Sequence, residues 1–349
     1  MDLSGANKVG RLIVGSLAAV TIVALWRTRE GPAGPVLWTA QPQGVMGTEC
    51  RLAVRGPATE AARAKRGLAE AERELRGVEA RMSVHLESSE VSRLNRAPAG
   101  VLTPLSGDVL KVLRAARDAA DSTDGAFDAT CRPLLLLWKN AARENRLRTP
   151  AEFEAARAQV GWSHLELAEG GARKRLDAAG VDLGGIAKGY AVDRAVEAMR
   201  AAGCRSGMVD VGGDLRCFGP GPADGFWEVE LRHPFRAGSC ATLRIADVAV
   251  CTSGNYQRFF EVAGRRYSRI VDPRSGTPAG WCPSVTVIAP TCMVADIWAT
   301  ALSVLDLAGL KRVPAGVEAL IVSGAPESGY HVYQTEGFGR WLATKVDLP

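Results

Sequence analysis

A glycine-rich stretch with one lysine lies between a short apolar segment and an alanine-rich segment, over residues 181–199. It contains the pairs Gly184–Gly185 and Lys188–Gly189, after which apolar residues recur at helical spacing. Glycines allow a ligand to approach the main chain, and a helix N-terminus offers free N–H groups and a positive dipole end. A lysine there can neutralise a phosphate. The stretch predicts a phosphate site, but its spacing is not that of a Walker loop, and a tight structural turn explains the same glycines equally well.

An aspartate and a threonine lie four residues apart in the apolar stretch 294–302, at Asp296 and Thr300. Residues with this spacing share one face of a helix. A carboxylate and a hydroxyl on one face suit a hard cation, which takes oxygen ligands. The alternative is an ordinary helix in which the aspartate caps a turn and the hydroxyl bonds back to its own turn.

Several further stretches place polar side chains at predicted turns. They are the strand end at 212–214, the hydroxyl-rich segment 252–254, the turn around Asp272, the loop 124–128 with two aspartates, and the turn at 88–90 that is expected to open a helix. In each stretch, the polar residues can also be explained by a turn or a helix start that has no role in function. Two nearby aspartates also occur in glycosidases, but local spacing does not define the carboxylate separation that such chemistry needs.

The charge balance and the pattern of metal-binding residue types exclude several function classes. Lysine and arginine total 43 against 38 acidic residues, a net charge of +5 without a basic run, so nucleic-acid binding gains no support. The eight cysteines form no C-x-x-C pair, and the four histidines form neither H-x-H nor H-E-x-x-H. A bound metal is therefore expected to have oxygen ligands, which favours magnesium or calcium over zinc.

Apolar periodicity predicts the elements that must position these residues. Helices are predicted at 59–81, 108–122, 150–160, 190–202 and 292–307. Strands are predicted at 49–55, 165–167, 207–211, 227–231, 241–245, 248–252, 284–288 and 319–323. Runs of strands with helices inserted predict an α+β fold with largely antiparallel mixed sheets, not a regular βαβ repeat.

The N-terminal residues have the pattern of a targeting segment. Residues 12–26 form an uncharged, mostly apolar run after Lys8 and Arg11, the layout of a secretory signal or signal anchor. The 15 residues of this run are fewer than the roughly 20 that span a bilayer, and a buried core helix is the alternative. We expect a signal peptide or signal anchor over 1–29, a Pro- and Gly-rich linker over 30–43, and one folded domain over 44–349.

Taken together and in order, these stretches resemble the ApbE family of FAD:protein FMN transferases over about residues 45–305. The matching motifs are MGT at 46–48, MS and SEVSRLN within 82–95, GAFDAT at 125–130, DLGGIAKGYAVD at 182–193, VGGD at 211–214, TSGNY at 252–256, IVDPRSG at 270–276 and ADIWATA at 295–301. Each motif is weak alone, whereas eight in register are specific.

The resemblance implies a magnesium-dependent enzyme that transfers FMN from FAD to a threonine or serine hydroxyl of a partner redox protein. The product would be a phosphoester, with AMP released. The implied FAD contacts are Met46, His85, Ala126, Phe127, Asp128, Ala129, Asp182, Lys188 and Ile270. The Gly185 carbonyl, the Asp296 carboxylate and the Thr300 hydroxyl are implied to hold Mg²⁺. Since the family's partners are membrane-bound or exported, we expect an inner membrane-anchored or exported protein with a periplasmic catalytic domain.

Two positions depart from the family pattern. Arg269 stands where the family usually has a histidine, and His85 stands where a tyrosine or tryptophan is common. Arginine remains protonated and is a poor general base, but it can bind a phosphate. We hypothesise that Arg269 contacts phosphate and that Asp272 helps position the acceptor hydroxyl. The alternatives are a FAD pyrophosphatase that gives FMN and AMP, and a catalytically impaired flavin-binding maturation protein.

Overall fold

The computed structural model describes residues 34–254, 259–280, 282–325 and 329–348. The predicted signal segment at 1–29 lies outside the described residues, as do Asn255 and Tyr256 of the TSGNY motif. Within the described ranges, no helix has the length and apolar character needed to cross a membrane. The fold is α+β with antiparallel sheets, which confirms the predicted class.

An eight-stranded antiparallel sheet is the largest sheet of the described structure. The strands, in chain order, are β1 Val36–Ala40, β2 Cys50–Gly56, β3 Thr103–Pro104, β4 Leu165–Ala168, β5 Gly171–Lys174, β6 Gly207–Val211, β7 Asp214–Phe218, β8 Trp227–Arg232, β9 Ser239–Ile245, β10 Ala249–Gly254, β11 Phe259–Val262, β12 Arg265–Ser268, β13 Ser284–Ala289, β14 Glu318–Ala325 and β15 Gly329–Gln334. The large sheet has the order β1–β2–β6–β7–β10–β13–β14–β15, with every neighbouring pair antiparallel. The others form the sheet β3–β5–β4 and the pairs β8–β9 and β11–β12.

Helices cover one face of the large sheet and a β-hairpin covers the other. The helices are α1 Ala61–Met82, α2 Glu90–Arg96, α3 Gly107–Ser122, α4 Arg132–Glu144, α5 Pro150–Arg157, α6 Ala187–Ala201 and α7 Cys292–Leu305. Buried side chains of α1, α6 and α7 join those of one sheet face in a single core. The pair β8–β9 and the segment around Phe338 form a second core on the opposite face. The sheet is the middle layer, which is why every residue of β13 is buried.

The linker prediction for 30–43 is wrong for residues 36–40. These residues form the edge strand β1, which pairs with β2. Trp38 packs against the core on the helical side and Leu37 against the core on the other side. The segment VLWTA is rich in strand-forming residues, but the prolines and glycines around it are typical of a linker and led to that prediction.

Two helices also differ from the prediction. Helix α6 begins at Ala187, three residues before the predicted start at 190, because Gly189 is a helical residue rather than a breaker. Helix α4 was not predicted, since the continuous apolar run 134–138 shows no helical period. The expected helix start after Ser88–Ser89 is confirmed: the Ser92 N–H donates to Ser89 Oγ at 2.9 Å and caps α2.

Candidate active site

The segment that leads into α6 is held by α2 and by the GAFDAT loop. The Asn95 side chain donates to the Val181 carbonyl at 2.9 Å and accepts from the Val181 N–H at 2.7 Å. The Asp182 N–H donates to the Ala129 carbonyl at 2.8 Å, and Asp182 Oδ1 accepts from the Gly184 N–H at 2.9 Å. These bonds fix the chain in front of the helix and place Asp182 and Ala129, two predicted FAD contacts, side by side.

Lys188, in the first turn of α6, faces two buried carboxylates. Its ammonium contacts the Asp214 carboxylate and lies 4.0 Å from Asp296 Oδ1. The side chains of Asp214 and Asp296 are 3% and 5% exposed, whereas that of Lys188 is 21% exposed. Buried charges need a compensating charge or hydrogen-bond donors. Lys188 therefore stabilises the two carboxylates while part of its side chain remains at the surface.

The first turns of α6 and α7 exchange hydrogen bonds through an aspartate from each helix. The Gly189 N–H of α6 donates to Asp296 Oδ2 of α7 at 3.0 Å. In return, the Cys292 and Met293 N–H groups of α7 donate to the Asp193 carboxylate of α6, both at 2.9 Å. N–H groups in the first turn of a helix have no partner within the helix, and a carboxylate there is also favoured by the helix dipole. Each helix thus caps the other.

Two glycines permit the close approach of these elements. A Cβ at Gly189 would lie 2.3 Å from the Cys292 carbonyl oxygen. A Cβ at Gly185 would lie 2.8 Å from Thr300 Oγ1 and 3.1 Å from the Phe127 ring. A larger side chain at either position would displace its neighbours. The structure thereby brings Gly185, Thr300 and Phe127 together from three separate motifs.

Asp296 and Thr300 lie one turn apart on α7, as predicted, with Thr300 beside the main chain of Gly185. Together they offer a carboxylate, a hydroxyl and a main-chain carbonyl, which are oxygen donors of the kind that Mg²⁺ takes. Asp296 Oδ2 accepts from Gly189, and Oδ1 is the oxygen nearer Lys188. Among the described residues, no group of three or more His, Cys, Asp and Glu side chains could hold a metal. One carboxylate with a hydroxyl and a carbonyl is a small oxygen set, of the kind that Mg²⁺ takes in proteins.

A two-glycine turn between β6 and β7 brings Asp214 to the site. Gly212 and Gly213 have φ of 64° and 93°, the left-handed region that two-residue hairpin turns require. A Cβ at Gly212 would lie 2.3 Å from Thr48 Oγ1, so the MGT loop packs directly on this turn. Met46 of the same loop has a positive φ of 51°, which is uncommon for a residue with a side chain. The predicted FAD contact Met46 thus belongs to a constrained loop at the edge of the site.

Asp210, on β6, is buried beneath the same turn. Its Oδ1 accepts from the Gly213 N–H at 3.0 Å. Burial raises the pKa of Asp210 to about 7, against the lowering effects of the Gly213 N–H, Arg51 and Lys188. Asp210 therefore changes its charge near neutral pH, close to the ion pair of Lys188.

A cavity of about 510 Å³ opens between α2, α4 and the segment 177–180. Its wall includes Val84, which precedes His85, and Gly180, which lies two residues before Asp182. Two of the predicted FAD contacts are therefore sequence neighbours of residues that line a cavity.

Among the described residues, no hydrogen bond or ion pair joins the predicted catalytic residues Asp272 and Arg269 to Lys188. Asp272 accepts two hydrogen bonds from the Arg274 guanidinium, both at 2.9 Å. Arg274 in turn lies against Gly125 of the GAFDAT loop. The Arg269 guanidinium lies over the Phe260 ring, 5.7 Å from its centroid. The Asp272 turn thus reaches a predicted FAD-contacting loop, whereas Arg269 rests on the β11–β12 hairpin.

His85 and Ile270 lie on loops outside the group around Lys188. His85 is exposed, and its backbone N–H donates to Ser83 Oγ at 3.2 Å. Ile270 is half-buried, and its carbonyl accepts from the Ala279 N–H at 2.8 Å. The predicted roles of these two residues in FAD binding stay predictions.

Sequence reasoning did not select Asp193, Asp210 or Asp214 as site residues. A signal was present for Asp193, which follows Gly189 by four residues, as Asp296 follows Cys292. The N–H partners of Asp193, those of Cys292 and Met293, lie 99 and 100 residues away in the sequence, so spacing alone does not reveal the exchange.

The fold and the polar site define a protein of the flavin transferase class. The solved structure of the flavin transferase ApbE from Vibrio cholerae matches with a TM-score of 0.76 and 30% identity, covering 89% of this chain and 100% of that one. The ApbE protein of Thermotoga maritima matches with a TM-score of 0.78 and 28% identity, covering 88% of this chain and 99% of that one.

The sequence comparisons identify the family. Residues 46–321 match the model of the ApbE family, and the chain belongs to that family. A FAD:protein FMN transferase of Vibrio cholerae is 31% identical over 280 residues, which cover 78% of this chain and 84% of the relative. A FAD:protein FMN transferase of Salmonella typhimurium is 30% identical over 341 residues, which cover 93% of this chain and 95% of the relative.

We expect Gly189→Ala to destabilise the protein by about 1–3 kcal/mol, because the added methyl group would push α7 away from α6. Urea unfolding measures this change. The control is Gly107→Ala, at the start of α3, where an added Cβ meets no atom within 4 Å and the change should be neutral or slightly stabilising. Equal unfolding free energies for the two variants would contradict the close approach.

We expect Asp210→Asn to flatten the pH dependence of stability. A buried carboxyl with a pKa of about 7 binds more protons in the folded than in the unfolded state, where its pKa is about 3.9. Stability is therefore lost as pH rises from about 4 to 7. Urea unfolding between about pH 5 and 8 should show a smaller loss for Asp210→Asn than for the unsubstituted protein, whereas the exposed Asp118→Asn should follow the unsubstituted protein. Parallel curves for all three proteins would disprove the assigned pKa.

Proposed function

We propose that this protein transfers FMN from FAD to a serine or threonine hydroxyl of a partner redox protein, with Mg²⁺ bound at Gly185, Asp296 and Thr300. The observation that carries the proposal is the convergence of the α6 N-terminus, Lys188 and the Asp296–Thr300 face at one place. A lysine ammonium beside oxygen donors that can hold a divalent cation suits a diphosphate, because both positive groups can neutralise its charge. The transferases of Vibrio cholerae and Salmonella typhimurium support the same reaction.

In the proposed reaction the acceptor hydroxyl oxygen attacks the phosphorus of the FMN half of FAD. The bond from that phosphorus to the bridging oxygen breaks, the hydroxyl proton is released, and AMP leaves with the bridging oxygen. Magnesium would neutralise the charge that develops on the transferring phosphoryl group. Because the nucleophile belongs to the partner, no serine of this chain has to be activated.

Lys188 is suited to bind the diphosphate while it remains paired with Asp214. An ammonium group has three N–H donors, so one can stay on the Asp214 carboxylate while another reaches a phosphate oxygen. The pairing restricts the flexible lysine side chain, which reduces the entropy lost on binding. Asp214 therefore holds Lys188 close to Asp296, the proposed metal ligand.

We propose the roles of Asp272 and Arg269 from their positions on one loop. The two hydrogen bonds from Arg274 hold the Asp272 carboxylate beside the GAFDAT loop, where it can accept a hydrogen bond from an incoming hydroxyl. The Arg269 guanidinium lies over the Phe260 ring and has five N–H donors, which can contact a phosphate.

We also propose that the protein is anchored in, or exported across, the inner membrane, with the catalytic domain in the periplasm. The support is the basic and apolar pattern of residues 8–26. Fractionation of cells that make either the full chain or a variant without residues 1–29 tests this location.

The central prediction concerns covalent transfer. Incubation with FAD, Mg²⁺ and a candidate acceptor protein should increase the intact mass of the acceptor by one FMN, and chelation of the metal should abolish the increase. Asp296→Asn keeps an oxygen for Gly189 but removes the charge, and should slow transfer at least about 100-fold. Ser303→Ala is the control, because the Ser303 hydroxyl lies on the same helix and donates only to the Ala299 carbonyl.

Two outcomes would contradict this proposal. If FMN and AMP form as fast without an acceptor protein as AMP forms with one, the protein is a pyrophosphatase, in which water attacks in place of the acceptor hydroxyl. Tight FAD binding without AMP release in Mg²⁺ would identify a flavin-binding maturation protein.

A separate prediction concerns Arg269. If its guanidinium binds a phosphate, Arg269→Ala should raise the FAD concentration for half-maximal transfer about tenfold. Arg266→Ala is matched, because Arg266 also lies over an aromatic ring of the hairpin, that of Phe259 at 4.3 Å. Unchanged FAD dependence in Arg269→Ala would remove the phosphate role.

A further inference from the structure

We propose that Asp193 is a positioning residue for the metal site: by fixing the N-terminus of α7 to α6, it sets the place of Asp296 and Thr300 relative to Gly185. This inference rests on the proposed function, because it assumes that Mg²⁺ binds at Asp296. The Asp193 carboxylate accepts hydrogen bonds from Cys292, Met293 and Arg216, none of which is a proposed metal ligand.

The contacts of Asp193 show that its carboxylate joins three elements. One oxygen accepts from the Cys292 N–H at 2.9 Å and from Arg216 Nη1 at 2.7 Å, and the other accepts from the Met293 N–H at 2.9 Å. Asp193 lies on α6, Arg216 on β7, and the two N–H groups begin α7. The Asp193 side chain is 11% exposed, so water competes little for these bonds.

The same helix junction carries the metal ligand. Asp296 follows Cys292 by one turn of α7, and its Oδ2 accepts from the Gly189 N–H on α6. Any shift of the first turn of α7 along α6 would therefore move Asp296 and Thr300 away from Gly185. Sites of this kind tolerate displacements of only about 0.5 Å.

Helix α7 also has an N-cap of its own, which makes it possible to test the role of Asp193 apart from ordinary helix capping. Thr291 is the N-cap of α7, and its Oγ1 accepts from the Val294 N–H at 3.4 Å. Thr291 stabilises the helix end but does not connect it with α6. Asp193 makes the connection, since it belongs to the neighbouring helix.

The matched variants Asp193→Asn and Thr291→Ala therefore test the proposal. Asparagine replaces one carboxylate oxygen by an NH₂ group, which cannot accept a hydrogen bond, so either the Cys292 N–H or the Met293 N–H loses its acceptor. Asparagine is also uncharged and forms no ion pair with Arg216. Two quantities are measured on the full chain: Mn²⁺ binding without FAD, by titration calorimetry, and the Mg²⁺ concentration for half-maximal FMN transfer. Thermal unfolding of both variants measures the purely structural effect.

We expect Asp193→Asn to weaken Mn²⁺ binding and to raise the Mg²⁺ requirement about tenfold or more, with much of the rate recovered at saturating Mg²⁺. Thr291→Ala should lower the unfolding temperature and leave both metal values unchanged. If Asp193→Asn does not fold, Arg216→Gln tests the same link, because it removes the countercharge but keeps the carboxylate, and a smaller shift in the same direction is expected.

The outcomes distinguish the two levels of the proposal. If the unsubstituted protein binds Mn²⁺ and transfers FMN, but Asp193→Asn and Arg216→Gln show the same metal dependence, the positioning role is wrong and the proposed function stands. If the unsubstituted protein binds no Mn²⁺ and transfers no FMN, the metal site itself is wrong and the positioning role is disproved with it.

Discussion

The N-termini of α6 and α7 meet at a distance that only glycine allows at position 189, and an aspartate from each helix satisfies the free N–H groups of the other. Two helix N-termini side by side would place like ends of two dipoles together, which is unfavourable unless negative charge lies between them. Asp193 and Asp296 supply that charge. The exchange joins the two helix ends by hydrogen bonds, and one of the two carboxylates, that of Asp296, is also the candidate metal ligand.

The charge around this junction gives the site its chemistry. Asp214 and Asp296 are almost completely buried. Lys188 is the cation that touches this group and supplies one positive charge. A buried excess of carboxylates favours a divalent cation, and the charge of the cation in turn favours a diphosphate. The electrostatics thus agree with the proposed transfer of FMN from FAD.

The sequence predicted the elements well where each has a clear apolar period. Strands β6, β8 and β13 fall where alternating or fully apolar runs place them, and α7 carries Asp296 and Thr300 on one face as expected. It failed where the local pattern is ambiguous. The continuous run of α4 has no period, and the short strand β1 is a strand only because β2 offers an edge to pair with.

The sequence alone determined the residue types, the helical and strand periods and the motifs that identify the ApbE family. Only the tertiary structure decided which residues meet: Asp193 with Cys292, Lys188 with Asp214, and Gly185 with Thr300. Spacing along the chain reports neighbours within about one helical turn or one strand pair. Contacts between residues farther apart along the chain depend instead on how the helices pack on the sheet, and the candidate active site is made of such contacts.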